Sequence, residues 1–260
     1  MKTNYHSHIA LCKHAEGTIE EHILKAIELN YEIFGISDHA PLITIDNIPK
    51  EATYLHRMKT TELTPYIEEL NRCKEKYKKD IKILIGLETE YFKTHDTYFK
   101  RLGQKVDYLV LGNHDYSLHG KPYSSFQVED DEQAIRYGEN AVDGMKTGYY
   151  SFMSHPDLFL YRFAWGKVAE KIAHTISEAS VKYNVPLEFN ANGVRRGTIE
   201  TKQGTRFIYP RKEFWDIVKT YNCKVIVNSD AHYFTEHDDE AYHLTHKLAK
   251  EWGLNVIEVL

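Results

Sequence analysis

The chain has 260 residues, 42% of them apolar and 27% charged, enough to bury one sizeable core in a single domain spanning residues 1–260. Its net charge is −5 with histidine neutral and its basic residues are scattered, so it carries no nucleic-acid footprint, and an anion would have to be met by local charge. Three distant cysteines, Cys12, Cys73 and Cys223, form no C-x-x-C pair, and no run reaches the length of a membrane span or signal segment; the expected setting is a reducing cytoplasm, without disulfides, export or membrane.

Along the chain, short β-branched or apolar runs alternate with segments of helical period. A first strand is predicted at 4–6. Thr18 and Glu21 then make a capping box ahead of Ile19, Ile23, Ala26 and Ile27. A strand at 33–37 is followed by residues 40–61, which show no periodicity. Thr64 and Pro65 open a second helix with Tyr66, Ile67, Leu70 and Cys73 on one face. Strands follow at 81–88 and 106–111, then an irregular stretch at 117–128. The rest reads helix 131–146, strand 150–154, helix 166–183, strand 186–190, helix 210–221, strand 224–228, helix 236–252 and a final strand at 255–259. Seven or eight strands separated by helices imply a parallel sheet able to close into a barrel, with the two irregular stretches as walls or lids.

Ligand-type residues cluster where these strands end: His6, His8, His14, His39, Glu88, His114, His155, Asp230 and His232. In His6-Ser7-His8 the imidazoles are two residues apart and share a face of an extended segment. Taken alone, an H-x-H pair is a weak signal among 15 histidines. Glu88 closes an apolar strand, where a carboxylate is costly unless paired or coordinated; an arginine partner or a loop cap would also account for it. Nitrogen and carboxylate donors gathered at one end of a sheet are what divalent metals require, and this points to a metal-dependent hydrolase.

The ordered set H-x-H, a histidine six residues later, S-D-H, G-x-E, G-x-H, S-H-P and N-S-D-A-H resembles the polymerase and histidinol phosphatase superfamily, and within it the monofunctional histidinol-phosphate phosphatases. The motifs run from residue 6 to residue 232, nearly the whole chain. The resemblance implies a distorted (β/α)7 TIM-like barrel with two to three divalent ions at the C-terminal end of the strands. It places His6, His8, Glu88 and Asp230 on one ion, Glu88, His114 and His155 on a second, and His14, His39 and His232 on a third. Around His114 the chain reads Gly-Asn-His where the family often has Gly-Ser-x-His, and His119 is the other candidate. The donor set leaves zinc, manganese and iron open.

The implied chemistry is hydrolysis of L-histidinol phosphate in histidine biosynthesis, by a hydroxide bridging two ions and without a phosphoenzyme. Asp230, His232, Arg162 and Arg195 are expected to act in catalysis, Asp230 by orienting the nucleophile and accepting its proton. Arg162, Arg195, Lys13 and His119 are expected on the phosphate, Arg195 in preference to Arg196. An ordinary surface role is the alternative for each. The 19 tyrosines are compatible with aromatic contacts to a cationic substrate. His22, His174, His243 and His246 fall in helices and His56, His95 and His237 in loops, where exposed or half-buried positions are expected, without chemistry. Competing readings are a relative acting on small nucleotides or oligonucleotide ends and a metal-binding barrel without turnover; a substrate panel separates them. The expected partner is a small phosphomonoester, with no nucleic acid and no membrane.

Overall fold

Side chains two apart on a strand face the same way, so a strand enclosed on both sides needs apolar residues at every position except where its inner face is used for something else. The computed structural model of the chain describes residues 1–42, 56–201 and 204–260. Its strands are β1 (Thr3–Asn4), β2 (Ile33–Ile36), β3 (Lys82–Thr89), β4 (Tyr108–Leu111), β5 (Asp115–Leu118), β6 (Lys121–Ser124), β7 (Phe152–Met153), β8 (Leu187–Asn190), β9 (Thr198–Thr201), β10 (Gly204–Phe207), β11 (Lys224–Asn228) and β12 (Asn255–Ile257). Its helices are α1 (Ile19–Glu28), α2 (Leu63–Lys76), α3 (Asp96–Gly103), α4 (Asp131–Lys146), α5 (Lys167–Tyr183), α6 (Ala191–Arg195), α7 (Lys212–Thr220) and α8 (Glu240–Glu251).

Eight strands form one sheet in the order β1-β2-β3-β4-β7-β8-β11-β12, with every pairing parallel. The sheet curls until β1 meets β11. Past the ends of those strands Ser7 and Ala231 form a parallel bridge, and His8 N–H donates to Ala231 O at 2.9 Å. Below that point side-chain amides replace the ladder: Tyr5 N–H donates to Asn228 Oδ1 and Ser229 N–H to Asn4 Oδ1, both at 2.8 Å. β12 instead pairs with Lys224–Ile226 of β11, so the seventh strand is shared between a closing partner at its end and an extra strand at its start. This is a distorted TIM-like barrel of seven strands, closed at its C-terminal rim.

Two apolar clusters follow from the period-two alternation. Tyr5, Ile33, Tyr108, Val110, Phe152 and Ile226 fill the barrel interior, while Leu109, Leu111, Val225 and Val227, their out-of-phase neighbours, join the larger core between sheet and helices. Tyr108 lies across the interior, donating to Tyr5 O at 2.6 Å. Gly35 of β2 and Gly86 of β3 make room for it, since a Cβ at either would overlap its phenol.

The helices follow the sequence signals with local shifts. Thr18 and Glu21 form the expected reciprocal cap of α1, and α4 has the expected bounds. α2 begins one residue before Thr64, so Pro65 lies inside the first turn, where its missing N–H costs nothing. α8 starts at Glu240 because Asp239 caps it, accepting from Tyr242 N–H at 2.8 Å, and Phe234–His237 form a separate 3-10 turn. The stretch 117–128, expected to be irregular, contributes to the β5–β6 hairpin and a 3-10 turn at Ser125–Gln127. The β9–β10 hairpin, α3 and α6 were not anticipated. Of the aperiodic stretch 40–61, residues 43–55 lie outside the described residues. Among the described residues no helix is long and apolar enough to cross a membrane.

Because Tyr108 is wedged against Gly35, a methyl group there should displace it. Gly35→Ala is expected to lower stability by about 1–3 kcal/mol, the usual cost of overpacking a filled interior, read as a shift in urea midpoint. An unshifted midpoint would show that the interior has slack.

Candidate metal centre

The strand ends deliver the ligand-type residues to one rim. His6 and His8 follow β1, His39 follows β2 and bridges Glu88 of β3, His114 follows β4, His155 follows β7, and Asp230 and His232 follow β11. Asn113, His155 and Asp230 take positive φ values of 49°, 29° and 45°, which turns the chain sharply as it leaves the sheet. His14 comes from the short turn before α1, next to Lys13 at φ 71°. The structure thus brings all nine predicted ligands together.

Glu88 is at the centre. Its Oε2 lies 3.3 Å from His6 Nε2, 3.5 Å from His8 Nε2 and 3.1 Å from His39 Nδ1. Its Oε1 lies 3.3 Å from His155 Nε2 and 3.6 Å from His114 Nε2, and accepts from Ser154 Oγ at 2.9 Å. The two oxygens of one carboxylate therefore serve two groups of imidazoles. Asp230 Oδ1 lies 3.1 Å from His8 Nε2 and 3.6 Å from His6 Nε2. His14 Nε2 and His232 Nε2 are 3.0 Å apart, beside the ring of His39.

Hydrogen bonds behind the rings fix their orientation. Nδ1 of His6 is 2.8 Å from Glu188 Oε1, that of His8 3.2 Å from Asp38 Oδ1, and that of His114 3.0 Å from Glu90 Oε1. Nδ1 of His14 faces Cys12 O at 2.9 Å, and that of His232 faces Asp230 O at 3.1 Å. When these five rings are neutral, the acceptors place the proton on Nδ1 and leave Nε2 bare, a tautomer assigned from the partners; His39 instead turns Nδ1 toward Glu88, and Nδ1 of His155 has no hydrogen-bond partner. In that form bare nitrogens face each other at 3.1 Å between His6 and His8 and at 3.0 Å between His14 and His232, a repulsion that a proton on His8 or a bound cation relieves. Glu88 Oε2 and Asp230 Oδ1 are buried with no hydrogen-bond partner. Converging lone pairs without protons are costly unless cations share them, so the residues present fit a cluster of divalent ions.

The electrostatics agree. Burial opposes ionisation of Glu88 and Asp230, yet the surrounding imidazoles outweigh it and hold both carboxyls well below their ordinary range. Burial drives His39 and His232 well below the usual imidazole value, keeping them neutral. For His8 burial is outweighed by Asp230 and Asp38, and its pKa is pushed up to about 9. Cys12 Sγ sits among the donors of His14 and His232, but its thiol donates to Ile9 O and burial pushes it up, so it stays protonated.

Beside the cluster is a cavity of about 360 Å³, lined by the histidines together with Arg57, Asp115, Phe126, Asn192, Arg196 and Tyr209. None of the four residues expected on the phosphate lines it. Arg162 is exposed and pairs with Glu129 at 3.1 Å, and Lys13 pairs with Glu62 at 3.1 Å. His119 sits at the tip of the β5–β6 hairpin, 69% exposed and 2.8 Å from Glu132, so that of the two candidates His114 is the one at the cluster. Arg195 turns toward α8, binding Asp239 at 2.8 Å, and faces a side depression. Arg196 lines the cavity instead, because α6 is a helical turn in which successive side chains diverge. It donates to Tyr209 Oη at 3.1 Å and lies over Phe126 and Tyr161.

Sequence reasoning missed Glu188, Glu90 and Arg57. Glu188 carried the signal that Glu88 did, an acid inside an apolar strand; Glu90 lies two residues beyond Glu88, on the same face. Arg57, buried against Glu90 and Asp115, lies within the aperiodic stretch 40–61 and gave no signal.

The model of the PHP domain family matches residues 4–192. A protein of Schizosaccharomyces pombe described as a probable histidinol-phosphatase is 26% identical over 89% of this chain and 81% of its own length. Among solved structures, a Listeria monocytogenes protein classed provisionally as a histidinol phosphatase superposes with a TM-score of 0.71, at 22% identity, over 92% of this chain and 98% of its own. The histidinol phosphate phosphatase of Lactococcus lactis, complexed with zinc, L-histidinol and phosphate, gives a TM-score of 0.70 at 17% identity over 98% and 95%.

With the His8 pKa pushed up to about 9, its imidazole holds a proton at neutral pH that an incoming ion must displace. Titrating metal-free protein with zinc near pH 7 should therefore release protons, seen as heats that depend on the buffer's ionisation enthalpy. Apparent affinity should rise with pH up to about 9. An affinity flat across that range would remove these imidazoles as ligands.

Proposed function

The chain belongs to the PHP domain family, and from that premise we propose that it is a metal-dependent phosphomonoester hydrolase converting L-histidinol phosphate to L-histidinol and phosphate in histidine biosynthesis. The observation that carries this is the division of Glu88 between two sets of imidazole nitrogens, with Asp230 completing one of them. The Lactococcus lactis protein's ligands, zinc, L-histidinol and phosphate, supply the substrate class. His6, His8, Glu88 and Asp230 would hold one ion, Glu88, His114 and His155 a second, and His14, His39 and His232 a third; zinc, manganese and iron all suit such donors. When bound, such ions neutralise phosphate charge and lower the pKa of the attacking water.

The chain's own groups do the rest. Asp230 Oδ2 is held by Asn190 at 3.0 Å and Asn192 at 3.3 Å, which leaves Oδ1 aimed into the site to accept the water's proton. The water oxygen bonds to phosphorus, the ester oxygen departs, and solvent returns a proton to it. Arg196 and Arg57 supply guanidinium charge to the phosphate from the cavity wall. Phe126 and Tyr209 offer aromatic faces, and Asp115 a carboxylate, to the imidazole and ammonium of the leaving alcohol. The free, buried thiols of Cys12, Cys73 and Cys223 suit a reducing cytoplasm.

The test is kcat/KM for L-histidinol phosphate against sugar, amino-acid and nucleotide phosphates, on protein of measured metal content. A preference of several orders of magnitude for histidinol phosphate is expected. Comparable turnover of small nucleotides would keep the metal chemistry and replace the substrate.

A further inference from the structure

Two histidines that the chemistry above does not use, His22 and His237, are fully buried, although their helix and turn settings suggested otherwise. His22 Nδ1 lies 2.8 Å from His237 Nε2, and His22 Nε2 lies 2.8 Å from Glu16 O. A carbonyl only accepts, so His22 carries its proton on Nε2 and its Nδ1 is bare. His237 must then donate from Nε2, which leaves its Nδ1 a buried acceptor with no partner. Every hydrogen bond in the chain His237→His22→Glu16 therefore runs in one direction. Burial drives both imidazoles below their ordinary value, consistent with two neutral rings.

The partner at the end of this chain matters. Glu16 lies two residues after His14, and its own N–H donates to His232 O at 3.0 Å. Its carboxylate accepts from Phe234 N–H at 3.4 Å, and Gly17, at φ +82°, lets the turn press against the Phe234 ring. At the other end, Tyr31 Oη donates to the His237 carbonyl. The two segments carrying His14 and His232, whose Nε2 atoms face each other at 3.0 Å, are thus tied through one residue, Glu16, whose N–H holds the His232 carbonyl and whose own carbonyl is gripped by His22. An apolar pair would fill the same space without an orphaned nitrogen, and exchanging both partners of a buried polar pair for apolar groups is often nearly neutral for stability. What the histidines add is direction.

We propose that His22 and His237 are positioning residues that fix the His14 segment against the His232 segment and so set the affinity of the third cation position. This rests on the reading of His14, His39 and His232 as one such position. Hydrogen-bonded groups behind metal ligands typically contribute about 10–100-fold to metal affinity.

The test compares zinc-loaded wild type with His22→Phe, which keeps an aromatic ring of similar volume without polar atoms, and His22→Gln, which keeps a donor near Nε2. Zinc content after dialysis and chelator-competition affinities are measured alongside circular dichroism and thermal midpoint. The expected result is a folded His22→Phe protein that has lost one of three ions, or binds it at least about ten-fold more weakly, with the other two unchanged and His22→Gln intermediate. Should His22→Phe not fold, His22→Gln against wild type makes the same comparison. Three ions at wild-type affinity in the variants would overturn the positioning role alone. A wild type that takes up only two ions would instead remove the third position itself, and the proposal with it.

Discussion

The constraint on which the rest depends is the unmet demand for positive charge at the rim of the barrel. Glu88 and Asp230 are ionised and buried, each with one oxygen that accepts no hydrogen bond, and the Nδ1 atoms of His6, His8 and His114 are held from behind by Glu188, Asp38 and Glu90. Such an arrangement is expensive as a protein interior and sensible only as a cation site, since a buried carboxylate without hydrogen bonds or a counter-ion costs several kcal/mol. The rim residues and the groups that orient them form one hydrogen-bonded network.

Barrel closure and site assembly are the same event. Beyond the side-chain amides, the β1 and β11 segments make a backbone bridge at Ser7 and Ala231, between His6 and His8 on one side and Asp230 and His232 on the other. The interior below is sealed by Tyr5, Tyr108, Val110, Phe152 and Ile226, so the polar layer rests on a packed apolar floor. Inward positions of β3 change from apolar to acidic on moving up the strand, from Leu84 and Gly86 to Glu88, and β8 brings Glu188 to His6. Catalytic residues at the C-terminal face and packing residues beneath are the usual division of labour in such barrels.

The sequence made the fold and the residues gathered at the rim legible because both leave periodic marks: apolar runs of strand length, each leading to a histidine or an acid. The wall of the cavity left few such marks. Which of Arg195 and Arg196 lines the cavity is not legible in the sequence, because the five-residue helix α6, after which one turns toward Asp239 and the other over Phe126, is too short to show a period. The β5–β6 and β9–β10 hairpins have four-residue strands with largely exposed outer members, which is why no alternation stood out. Arg162, Lys13 and His119 were plausible by position along the chain, yet each is satisfied by a nearby glutamate at the surface. The role of His237 was hidden because its partner His22 is 215 residues away.

The most direct test of the central claim is anomalous X-ray diffraction at the zinc edge from crystals of the metal-loaded protein. Peaks on either side of the Glu88 carboxylate are predicted, one bounded by His6, His8 and Asp230 and one by His114 and His155, with a third among His14, His39 and His232. Peaks absent from the rim, or His6 and His8 hydrogen-bonded to ordered water in their place, would contradict the account.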